Sequence, residues 1–155
     1  MRKASRWRLL PALGIAAAFV LSLTPAASAS PTQGSCVLSL STGKRACFST
    51  TAAAFKQVDN SNETRAGVLY TKENFGGQAL VLAIAKDCVK DGWMDYWWNF
   101  TTADPWYHNV HSLTVYGKCA LWLYESGDVR DGPYERDLIQ MPDKWASSVV
   151  TVGAS

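Results

Sequence analysis

Four cysteines, all downstream of a stretch built like an export signal, constrain this chain more than any other feature. The stretch covers residues 1–29: a basic start at Arg2, Lys3, Arg6 and Arg8, an apolar run from Leu9 to Leu23, and the small-residue end Ala27-Ser28-Ala29. That order is the plan of a secretory signal cut after an A-x-A site. A membrane anchor is the competing reading, but a spanning helix needs about 20 apolar residues. This run is shorter and is broken by Pro11, Gly14 and Ser22. No later stretch is apolar enough to span, so a secreted, extracellular protein is expected, with no membrane attachment once the signal is cut. In that oxidising setting Cys36, Cys47, Cys88 and Cys119 read as two disulfides. Three pairings can be drawn. The simplest joins Cys36 to Cys47 and Cys88 to Cys119, with loop-closure contributions of about 3 and 4 kcal/mol. A metal site is the rival use of four cysteines, and it lacks any C-x-x-C spacing.

Cleavage changes the charge. The four basic residues leave with the signal, so 11 of the 15 Lys+Arg remain against 13 Asp+Glu, a formal net charge of −2. The whole-chain value of +2 therefore misleads, and no basic patch remains to suggest a nucleic-acid partner. The mature 126 residues suit one core.

Along the mature chain, 36–48 reads as a hairpin turning near Thr42-Gly43, with Cys36 and Cys47 at its open end. The segment 50–58 carries the one local helix signal, three alanines behind a threonine able to cap them. From Ala66 on, short runs rich in Val, Leu, Tyr and Trp are bounded by Gly, Asn, Asp or Pro. They cover 66–71, 78–84, 110–116, 119–124 and 147–152. Alternation within them, as in His111-Ser-Leu-Thr-Val115, predicts half-buried strands of an all-β sandwich.

Tyr70-Thr-Lys-Glu-Asn-Phe75-Gly-Gly77 places an aromatic, four residues, a second aromatic, one residue, then glycine between two strand-like runs. The two rings can pack across a folded hairpin, and glycine permits the positive φ at which the chain turns back. This pattern resembles the Greek-key signature of the βγ-crystallin superfamily. Leu121-Trp-Leu-Tyr124-Glu-Ser-Gly-Asp-Val129-Arg-Asp131-Gly132 looks like a second, degenerate copy, with Val129 for the second aromatic and Asp131 where glycine is usual. Each copy is followed by a loop and a Ser-containing closing strand, at 108–115 and 143–150. The resemblance covers about residues 66–153. It implies a crystallin-like Greek-key sandwich over 66–155, preceded by a hairpin and helix extension over 30–65.

Microbial members of that superfamily often bind calcium, which takes 6–8 oxygen ligands. The resemblance therefore implies one candidate site: Ser112, the backbone of Asn109, the carboxylate of Asp143, and the carbonyls near Glu73 and Asn74. The companion site would use Ser147, with His108 where a carboxylate belongs and Lys144 nearby, and both disfavour the ion. At most one weak site is expected. The serines have a structural use as well, since a hydroxyl can bond the turn backbone.

No enzyme constellation is evident. Nothing matches G-x-S-x-G or H-E-x-x-H. His108 and His111 read as loop residues, and the many carboxylates of 87–143 read as solvated acids. A non-enzymatic binding or structural module is therefore expected. The segment 86–107 fits no plain turn. It holds Cys88 with Trp93, Trp97, Trp98 and Trp106, read either as an exposed surface for an extracellular glycan or protein, or as core. Trp122 is expected in the core. Some exported proteins of crystallin-like fold with two disulfides inhibit metalloproteases, and others are toxin-like. The resemblance therefore implies a protease inhibitor as the alternative function, with 86–107 as its loop, although the inhibitors' own cysteine arrangement is not evident here. Asn62-Glu-Thr64 and Asn99-Phe-Thr101 are glycosylation sequons only in a host that uses them.

Overall fold

The structure, a computed structural model, describes residues 34–155 apart from 90, 92, 126–128, 136–138 and 142–148. The export-type stretch, Asp143, Lys144, Trp145, Ser147 and Ser148 thus lie outside the described residues.

Among the described residues the chain forms ten strands and one helix. In order they are β1 (Ser35–Ser39), β2 (Arg45–Phe48), α1 (Thr51–Asp59), β3 (Thr64–Lys72), β4 (Gly76–Ile84), β5 (Tyr96–Asn99), β6 (Ser112–Val115), β7 (Leu121–Glu125), β8 (Arg130–Tyr134), β9 (Ile139–Gln140) and β10 (Val149–Ala154). They assemble into a six-stranded sheet, β2-β1-β4-β3-β6-β9, and a four-stranded sheet, β5-β10-β7-β8. Two strands change sheets. β5 follows the β3–β4 hairpin in the chain but pairs with β10, and β9 follows the β7–β8 hairpin but pairs with β6. Beyond β1 and β2, each sheet therefore holds three strands of one half, β3–β6 or β7–β10, and one strand of the other.

The period-2 alternation of strand side chains sorts the residues into two cores. Leu38, Leu69, Leu80, Leu82, Leu113, Leu121, Leu123 and Val152 fill the space between the sheets. Val37, Val68, Val81 and Ala83 point out of the six-stranded sheet and are covered by α1 through Ala54 and Val58. The helix starts where expected: the Thr50 side chain accepts from the Ala53 N–H at 3.1 Å. Substituting alanine at such a cap costs about 1 kcal/mol.

Both disulfides take the simplest pairing, Cys36–Cys47 and Cys88–Cys119. Cys36 and Cys47 sit opposite each other in the β1–β2 hairpin. That hairpin is integral to the sandwich, because β1 runs parallel to β4, with Leu38 paired to Leu82, and supplies Cys36, Leu38 and Leu40 to the inner core.

The Tyr70–Phe75 rings meet edge to face at 5.7 Å across the β3–β4 bend, as the motif predicts. Gly77 has φ +77°, and a Cβ there would strike Thr71 Oγ1. Asn74 and Phe75 also take positive φ, 53° and 59°, to complete the fold-back. In the second hairpin Val129 is exposed, and its backbone carbonyl accepts from the Glu125 N–H at 2.8 Å. The two residues flanking this bend are thus joined through backbone.

Candidate functional site

The four tryptophans of 86–107 do not act together. β5 alternates, and its register with β10 decides which ring goes where. Val152 pairs with Trp98 on one side and Leu123 on the other, so Trp98 faces the inner core. Trp106 is 1% exposed and belongs to that core, which removes it from the expected binding surface. It is drawn inward by a tight turn: Asp104 accepts from the Thr101 N–H at 2.7 Å, and the Tyr107 N–H donates to the Asp104 carbonyl at 3.0 Å. Arg45, from β2, lies 5.9 and 5.7 Å from the rings of Trp98 and Trp106 and is paired with Asp104. Burial works against the Asp104 charge, but the Thr101 N–H and the Arg45 guanidinium outweigh it and hold the carboxyl below its ordinary value.

The outer row is different. Gly153 pairs with Trp97 on β5 and with Trp122 on β7, so the two indoles stand on the same solvent face on either side of a residue without a side chain. Met94 fills that place, since a Cβ on Gly153 would collide with its Sδ. Glycine in a strand interior marks such a close approach. Trp93, Met94, Trp97, Trp122, Tyr124 and Arg130 together line a shallow groove of about 320 Å³. Trp93 is 78% exposed and Trp97 61% exposed. At Trp97 the groove meets a second depression of about 740 Å³, between β5 and the β1–β2 turn, bordered by Ser41, Lys86 and Asp95.

The groove is held in place by bonds around its rim. The Trp122 Nε1–H donates to Ser155 Oγ at 2.9 Å, and the Tyr124 hydroxyl donates to Met94 Sδ at 3.3 Å. The Arg130 guanidinium carbon lies 4.9 Å from the Trp122 ring centre. The loop carrying Trp93 is pinned at several points. Cys88 is bonded to Cys119, the Val89 N–H donates to Asp95 Oδ2 at 2.8 Å, and the Trp93 N–H donates to Asp91 Oδ1 at 3.0 Å. The Asp95 N–H reaches the Ala154 carbonyl at 3.0 Å. Trp122 is half-buried on this outer face and not in the core expected for it. Met94, Arg130 and Gly153 were not legible as site residues. The available signal was a glycine directly after the strand-like run 147–152.

Of the candidate calcium ligands, Ser112, Glu73 and Asn74 meet at the first hairpin. Ser112 is fully buried, its hydroxyl donating to the Lys72 carbonyl at 2.8 Å and accepting from the Phe75 N–H at 3.1 Å. This is the turn-bonding use of serine. The Glu73 carbonyl accepts from the Gly76 N–H at 3.2 Å, beside Asn74. Asn109 turns its amide to the Pro105 carbonyl at 2.9 Å. Asp143 lies outside the described residues. His108 stacks on Tyr107, with ring centres 4.1 Å apart. Among the described residues no three His, Cys, Asp or Glu side chains converge on one point.

Compared with known protein families, curated proteins and solved structures, the chain matches none of them.

Proposed function

We propose that the chain is an exported, non-catalytic recognition domain built on two crystallin-type Greek-key repeats, with the outer face of the four-stranded sheet as its binding surface. The exchange of β5 and β9 between the sheets supports the repeat reading, since each half lends the other its third strand. The observation that carries the functional reading is the outer row, Trp97–Gly153–Trp122, with Trp93 and Met94 against it. Exposed indoles clustered in a groove rimmed by polar groups support a binding role, because such surface is costly to leave in water. A single calcium ion at Glu73, Asn74, Asn109, Ser112 and Asp143 is an accessory to this reading and not its basis.

The test is retention of the mature chain on immobilised extracellular polymers and proteins, compared with a Trp97→Ala/Trp122→Ala variant. Retention lost in the variant while it remains folded at the assay temperature supports the binding face. Equal retention of both proteins refutes it.

A protease inhibitor is the second reading, and it draws on the pinned loop. Val89, 59% exposed, and Trp93 stand on a segment held by a disulfide and by backbone bonds, as a rigid inhibitory loop requires. Inhibition of a metalloprotease that is lost on replacing Val89 and Trp93, yet indifferent to Trp122→Ala, would favour it.

A further inference from the structure

We infer that the aromatic groove takes an extended, β-1,4-linked pyranose chain, an inference that rests on the outer face being the binding surface. Four features of the groove select this ligand.

The first is size. The groove is built from six side chains and encloses about 320 Å³. A stable interface between two folded proteins, or between two copies of this chain, takes about 20–30 residues a side. Six side chains suit a few units of a narrow linear ligand.

The second is direction. The row Trp97–Gly153–Trp122 runs across β5, β10 and β7. A bound peptide strand draws its affinity from backbone groups at a sheet edge. Here the backbone of β10 is committed to β5 on one side and β7 on the other, so the groove floor offers ring faces and side-chain donors. Pyranose chains are held in that way, with the C–H face of a sugar ring on an indole and hydroxyls bonded at the rim.

The third is spacing. Trp97 and Trp122 stand two inter-strand spacings apart, about 10 Å. An extended β-1,4-linked chain advances by a similar length over two rings and presents alternate rings in the same orientation. The indoles of Trp97 and Trp122 would thus stack on units i and i+2, with Met94 beneath the unit between them. The Ser155 bond to Trp122 Nε1 and the aromatic framework fix the platform before the ligand arrives, which lowers the ordering cost of binding.

The fourth is charge. Among the described residues Arg130 is the one charged residue lining the groove, and it is a hydrogen-bond donor suited to hydroxyl or carbonyl oxygens. Asp91 and Asp95 stand beside the Trp93 end, which disfavours a polyanion along the whole track.

The experiment is titration of mature residues 30–155 with cellohexaose and chitohexaose, followed by tryptophan fluorescence and calorimetry, with curved α-linked maltohexaose as the comparison. Expected is saturable binding of at least one β-linked hexasaccharide, at least tenfold tighter than maltohexaose. Trp97→Ala and Trp122→Ala should each weaken it tenfold or more, the exposed Trp97 with little change in unfolding midpoint. If no hexasaccharide binds while a metalloprotease is held by the parent chain and released by Trp97→Ala, the sugar is overturned and the binding face stands. If a hexasaccharide binds equally to all three proteins, or nothing binds, both are overturned.

Discussion

On the outer face of the six-stranded sheet, Val68, Val81 and Ala83 lie under α1, joined by Phe48, Phe55 and Tyr116 at the margins. On the outer face of the four-stranded sheet the corresponding row is Trp97, Gly153 and Trp122, and among the described residues no helix or strand lies over it. Both faces are apolar, but they differ in residue type. Small residues leave room for a helix to pack close, as α1 does through Ala54 and Val58. Large indoles, separated by a glycine that admits Met94, leave a groove. One face is covered by the chain's own helix, and among the described residues the other is not. The contrast teaches that a bare apolar face here is built and braced, since the same chain supplies a cover where it needs one.

The largest expected effect tests the covered face. Val81→Asp should destabilise by more than about 4 kcal/mol in urea unfolding, because it buries an unpaired carboxylate under α1. The same change on the bare face, Trp97→Asp, should stay within about 1 kcal/mol. A similar loss at both positions would erase the distinction between the faces.

Next comes the clamp behind the groove. Asp104→Ala strands the Thr101 N–H and the Arg45 guanidinium, and should cost about 2–4 kcal/mol. The carboxyl of Asp104 is held below its ordinary 3.8. Its stabilisation is therefore complete above pH 3.8 and is lost as the pH falls through its lower folded value. Asp104→Asn should flatten that part of the acid-unfolding profile and lower stability above it by a constant amount.

Ser112→Ala should cost about 1–3 kcal/mol, since it removes the buried hydroxyl that bonds both the Phe75 N–H and the Lys72 carbonyl. The cost should be the same in EDTA and in calcium, because the hydroxyl bonds the turn directly. Thermal unfolding of the variant in both buffers checks this, and a loss seen only in calcium would restore the ligand role.

The smallest effect is calcium itself. A weak site half-filled at millimolar calcium adds about 0.4 kcal/mol, and Asp143→Ala should remove it. A larger gain would mean that the first hairpin, and not the aromatic face, holds the main ligand.

Much of the fold was legible locally. The Cys36–Cys47 hairpin, the Thr50-capped helix and the Tyr70–Phe75 corner each rest on contacts within about a dozen residues, where spacing and turn chemistry decide the outcome. Five strand-like runs found their places in β3, β4, β6, β7 and β10. β5 was hidden, since four residues inside an aromatic, acidic segment carry too little periodicity to be read. The parallel pairing of β1 with β4 was hidden too, because pairing between distant strands leaves no mark on either one alone.

The sequence by itself determined that this is a disulfide-bonded β chain with a folded aromatic hairpin, an export-type start and an unusual wealth of tryptophan. Only the tertiary structure decided what the tryptophans do. Trp97 and Trp98 are neighbours in the chain and opposites in the sheet, because successive strand residues face opposite ways. Which of them faces water depends on β10 and β7, more than 20 residues away along the chain. A groove made by Trp97, Gly153 and Trp122 is a property of register across three strands, and register is fixed by packing the inner faces together.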